Sequence, residues 1–162
     1  MSVHSAILDA FVSLISDLEL TLGDTPVSVG AARKIDEVRD GLDAAPLIQV
    51  ACHRMGGQSR RWDTGVDGRT RKQVSYLVSI SIELAGNRDP TANLATVTDW
   101  RQAIFRALAE PSQLSGFDFG SAQVYDLEHE PEGAFDSAAA AENWDSSPLT
   151  IRVIMIEPST GA

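Results

Sequence analysis

The sequence predicts an α+β domain, a four-stranded, mostly antiparallel sheet with two main helices packed on one face, in the order α-β-β-α-β-β. Three observations carry this. Two stretches repeat apolar residues at helical spacings of three and four, four stretches read as strands, and a length of 162 residues suits a single core.

From Ser5 to Leu22, the residues Ile7, Leu8, Phe11, Val12, Leu14, Ile15, Leu18 and Leu22 form one apolar stripe, with Asp9, Ser13, Ser16 and Asp17 largely opposite. Ser2 or Ser5 is placed to cap this helix, and Gly23-Asp24 with Pro26 ends it. Thr25 to Ala45 is expected to be a loop holding at most one helical piece, at Ile35, Val38 and Leu42. Pro46 to Arg54 alternates Ile48, Val50 and Cys52 against Gln49, Ala51 and His53, the pattern of a half-buried strand. A long polar connection, Met55 to Lys72, follows. The clearest strand comes next, with Val74, Tyr76, Val78, Ile80, Ile82 and Leu84 alternating against Ser75, Leu77, Ser79, Ser81 and Glu83.

After a turn at Gly86 to Pro90, helical spacing resumes through Leu94, Val97, Trp100, Arg101, Ile104, Phe105 and Leu108 as far as Pro111. Closing strands are expected around Val124, Tyr125 and Leu127 and over Leu149 to Ile156. The segment between them, Glu132 to Ser147 with its alanine run, reads as a surface excursion. Residues 1–157 thus form one domain with a projecting basic loop at 55–72, and 158–162 form a flexible tail. Both helices hide their stripes on the apolar sheet face, leaving Ser75, Ser79, Ser81 and Glu83 to solvent or to a partner.

Composition narrows the function. With 13 basic and 23 acidic side chains the net charge is −10 and the pI near 4.6, so nucleic acid is not expected as a specific ligand. No apolar run reaches the length of about 18 residues that spans a bilayer, and no basic region precedes the first apolar stretch, so neither export nor a membrane partner is expected. The single cysteine, Cys52, excludes an internal disulfide and a cysteine cage, in keeping with an intracellular folding site.

Chemical motifs are weak. Asp63-Thr64-Gly65 matches the triplet of aspartic proteases, but its flanks are polar and it reads as a turn. Cys52 and His53 are adjacent on a strand and therefore point to opposite faces. His4, His53 and His129 lack further ligands at metal-binding spacing, and Met55-Gly56-Gly57-Gln58-Ser59 lacks the lysine of a phosphate loop. No catalytic residue, cofactor or metal is expected, and the chain is not read as an enzyme.

Charge is unevenly distributed. Between Arg54 and Lys72 lie Arg54, Arg60, Arg61, Arg69, Arg71 and Lys72 against only Asp63 and Asp67, so this segment carries +4 and the remainder −14. From Asp118 onward nine acids face one base, Arg152. Two unlike patches on one chain are what a head-to-tail contact between identical copies requires. Trp62 within the basic segment could anchor such a contact or stack on a base.

The helix over 5–22, the proline-led strand Pro46-Leu47-Ile48-Gln49-Val50, the basic loop, the strand Val74 to Leu84, the helix Leu94 to Ala109, the two closing strands and Asn143-Trp144-Asp145 together resemble the tail terminator (tail completion) proteins of long-tailed bacteriophages. The resemblance runs over roughly Ile7 to Ile156 and lies in element order. It implies a virion structural protein that is a homo-oligomer in the form of a hexameric ring. Such a ring caps the tail tube, ends tail polymerisation and offers a surface for head attachment. The implied partners are the chain itself, the tail-tube protein and the head–tail connector protein. The implied location is the virion tail, assembled in the host cytoplasm. On this sequence the contact surface would be Arg54, Arg60, Arg61, Trp62, Arg69, Arg71 and Lys72. The alternatives are a head-completion or neck connector protein and an unrelated small cytoplasmic α+β binding domain.

Overall fold

The computed structural model describes residues 2–32, 46–55, 60–63, 70–85, 90–130 and 144–158. Helix α1 (Val3–Ser16) starts at Ser2, whose Oγ accepts the Ser5 N–H at 3.2 Å and satisfies one orphan donor of the first turn. It stops short of the full apolar stripe because Thr21–Leu22 (β1) turns back on Thr25–Pro26 (β2) as a two-stranded antiparallel ribbon. Gly23 takes φ 61° in that turn, a left-handed conformation that suits glycine.

The main sheet contains β3 (Ser28–Ala31), β4 (Leu47–Arg54), β5 (Arg60–Asp63), β6 (Thr70–Ala85), β7 (Gln123–His129) and β8 (Trp144–Pro158). Its order is β3-β4-β6-β8-β7, with β5 paired to β6 beside that path. All pairs are antiparallel except β3 with β4. The expected four-stranded, mostly antiparallel sheet is therefore corrected to a larger mixed sheet with a parallel strand at one edge and a separate ribbon beside it.

Two strands of the main sheet escaped the sequence pattern for physical reasons. Strand β3 is only four residues long and contains Gly30, and what holds it is pairing with Leu47 to Val50 rather than its own propensity. Strand β5, Arg-Arg-Trp-Asp, has no apolar alternation at all and exists through its register on Thr70 to Gln73. Residues 60–63 and 70–72 of the segment read as a loop are thus strand. The helical piece at Ile35, Val38 and Leu42, the alanine run, Arg69 and residues 159–162 lie outside the described residues.

Helix α2 (Pro90–Ala107) is followed by a 3₁₀ turn at Pro111–Leu114. Helix α1 lies against β3 and β4, and α2 against β8 and α1. On β6, Val74, Tyr76, Val78, Ile80, Ile82 and Leu84 are buried in one cluster with Phe11, Ile15, Trp100 and Ile104 of the helices. Each such side chain contributes roughly 1.5–3 kcal/mol by leaving water.

The face away from the helices is not simply a serine face. Ser75, Ser79 and Ser81 are half-buried, Glu83 is only 7% exposed with its Oε1 accepting from Ser81 Oγ at 3.0 Å, and β8 adds Ile154 at 6% exposure. No helix among the described residues is long and apolar enough to cross a membrane.

Candidate functional site

Strands β4 and β5 follow one another along the same side of β6, which pairs first with Leu47 to Arg54 and then, at its other end, with Arg60 to Asp63. Because β6 has 16 residues it spans roughly 50 Å, and its first four overhang the end of β4, where they pair with β5 and β8. The overhang collects the cations predicted as a contact surface. Arg60 pairs with Gln73, Arg61 with Lys72, Trp62 with Arg71 and Asp63 with Thr70.

Alternation divides these positions between the two faces. Lys72 shares parity with Val74 and Tyr76 and belongs to the helix-side face, while Arg71 belongs to the other. Glu157 lies across from Lys72 on β8. Its Oε2 is 3.7 Å from Arg54 Nη2, and its Oε1 accepts from Tyr76 Oη at 2.5 Å. Burial first, then this bond to Glu157, pushes the Tyr76 hydroxyl up. Arg54 therefore sits in a small network tying the end of β4 to the end of β8, with its side chain still 55% exposed. Of the seven predicted contact residues, six fall at this end of the sheet, and Arg69 lies outside the described residues.

Sequence reasoning missed Glu157 and Tyr76, which are 81 positions apart and meet only because β6 and β8 pair along their whole length. It also missed the opposite edge. There Arg152 Nη2 is 2.5 Å from Glu130 Oε1 and its Nη1 is 3.4 Å from Glu128 Oε2, so the one base of the acidic third lies between an acid of β7 and one just beyond its end. The pairs are part exposed and contribute at most about 1 kcal/mol each.

The chemically suggestive residues are otherwise placed apart. Cys52 is buried at 5% exposure and His53 is exposed. Burial pushes the Cys52 thiol up to about 12, far from a nucleophilic thiolate. His4 Nε2 meets the Cys52 carbonyl at 2.7 Å and His129 Nε2 the Leu108 carbonyl at 3.0 Å. No group of three or more metal-ligating side chains occurs among the described residues. A depression of about 410 Å³ is lined by Pro111, Leu114, Phe117, Phe119 and Val124, and Asp118, its one ionisable lining residue among those described, accepts the Gly120 N–H at 2.8 Å.

Cys52 gives a pH prediction. The thiol titrates near 9.0 when unfolded and near 12 when folded, so above pH 9 the unfolded chain has lost a proton that the native chain keeps. Stability is then lost as pH rises, by about 1.4 kcal/mol between pH 7 and pH 10. Urea unfolding at the two pH values should show Cys52→Ala losing less than the parent by about that amount, and equal losses would remove the thiol as the cause.

No family model matches the chain, and no curated protein matches it. Among solved structures, a chain described as "Virion of native gene transfer agent (GTA) particle" is 13% identical, with a TM-score of 0.42, covering 96% of this chain and 92% of that one. A likeness of that size falls short of a shared fold.

Proposed function

We propose that this chain is a virion structural protein that forms a ring on the end of a phage-like tail tube, stops tube growth and presents a surface to the head. It does so without catalysis. The supporting observation is the pairing of like charge at the overhang. Arg61 stands directly across from Lys72, an arrangement that costs roughly 0.2–1 kcal/mol against a neutral pair. Five cations, Arg54, Arg60, Arg61, Arg71 and Lys72, gather there with only Asp63 and Glu157 on the paired strands around them.

A protein with a net charge of −10 nevertheless gathers five cations at this end of the sheet. A local rule broken in this way marks a surface built for something outside the subunit. The complementary surface is the acidic remainder of another copy or of a tube subunit.

Electron microscopy of particles made without the chain tests the role. Overlong tails of variable length are the expected result. Tails of normal length left unjoined to heads would move the chain to the neck, and unaltered particles would remove the virion role.

A further inference from the structure

Taken along its strands, the sheet has two ends of opposite character. Strand β4 runs from Leu47, level with Glu83 of β6, to Arg54, level with Tyr76, so the two ends lie roughly 25 Å apart. The β1–β2 ribbon leads into β3 at Ser28, which pairs with Leu47, and therefore belongs to the end away from Arg54. Helix α1 runs from one end to the other. Near its start His4 Nε2 meets the Cys52 carbonyl at 2.7 Å, and beyond its last residue, Ser16, the chain enters the ribbon.

At the ribbon end a depression of about 380 Å³ is lined by Leu20, Pro26, Val27 and Val29, with Glu19 among them. Leu20, Val27 and Val29 pack against the core yet stay only half-buried, so apolar surface remains in water there. Glu19 has a φ of 49°, uncommon for a residue other than glycine, where the chain turns from α1 into the ribbon. Asp17, Glu19 and Asp24 are all exposed, and residues 1–32 contain no lysine or arginine.

The Arg54 end carries the complement. Met55 is 40% exposed beside the exposed Arg54, and its N–H is held on the Ser75 carbonyl at 2.9 Å, with Lys72 and Arg71 further along β6. Arg54 shares parity with Val50 and Cys52 and belongs to the helix-side face, the layer in which the depression lies. A second copy set ahead of the first along the strands, in the same sense, brings an apolar side chain among cations to an apolar depression among acids. Two Arg54 ends repel one another, and so do two ribbon ends.

We propose that the depression beside α1 receives the Arg54–Met55 corner of a second copy, Met55 filling the apolar lining and Arg54 meeting Glu19. Methionine, unbranched and flexible, suits an irregular apolar socket. The contact joins two different surfaces of one molecule and is heterologous, closing into a ring when each step adds a fixed rotation. It names the acidic surface invoked for the ring above and rests on that reading.

Full-length variants test the socket, with assembly read by mass photometry, alone and with tail-tube protein, and folding by circular dichroism. Arg54→Glu and Glu19→Arg should each assemble at least tenfold more weakly than the parent. One chain carrying both should recover, because every join then pairs opposite charges again. In a Cys52→Ala background, Met55→Cys combined with Thr21→Cys, an exposed lining position, should oxidise to a covalent ladder, while either cysteine alone should give nothing larger than a dimer. This cross-link decides the matter if a charge-reversed chain fails to fold. Single reversals that assemble like the parent, or losses that the double reversal does not recover with no ladder formed, overturn the socket and leave the ring reading standing. A parent chain that never assembles, alone or with tube protein, overturns both.

Discussion

Replacing Ile80 by aspartate should abolish cooperative folding, whereas the same charge one residue earlier, at Ser79, should leave the fold intact. Ile80 is 0% exposed and lies at the middle of β6 between Val50 on one side and Leu149 on the other. The change removes roughly 1.5–3 kcal/mol of apolar burial and leaves a carboxylate without a counter-charge in the core, which costs several kcal/mol more. Together these rival the whole margin of about 5–15 kcal/mol that holds a domain of this size. Ser79 is half-buried on the other face, opposite Ala51 and Thr150, where a carboxylate reaches water. Urea unfolding followed by circular dichroism should give no transition for Ile80→Asp and one shifted by no more than about 1 kcal/mol for Ser79→Asp. Two folded proteins, or two unfolded ones, would show that the faces of β6 are not divided as described.

That contrast rests on the part of the fold that was legible in the sequence. Period-two alternation from Val74 to Leu84 marks the buried face residue by residue, because a half-buried strand has no other way to divide its side chains between core and outer surface. The stripe of α1 was legible for the same reason. Strands β3 and β5 were not, since their existence depends on hydrogen bonds to β4 and β6, and a four-residue strand has no period to display. At the candidate surface the cations were legible as composition. Their division between two faces, and the tie from Arg54 through Glu157 to Tyr76, required the register. Sequence supplied the charge, and pairing supplied its address.

The address predicts an unusual separation of stability from assembly. Changing Arg60 and Arg61 to glutamate should weaken assembly at least tenfold, about 1.4 kcal/mol, while leaving the subunit as stable as before or slightly more so. Glutamate at 61 faces Lys72 and turns a like-charge pair into an opposite-charge one, a gain of roughly 0.2–1 kcal/mol, and glutamate at 60 faces the neutral Gln73. If the contact is electrostatic, the parent's assembly should also weaken with added salt, because the screening length falls from about 10 Å at 0.1 M to about 3 Å at 1 M. The double variant should instead gain with added salt, because its glutamates repel the acidic partner surface and salt screens that repulsion. Denaturant unfolding and mass photometry on the same preparations check both halves. A folded double variant that assembles like the parent would show that these arginines are a solvated surface and nothing more.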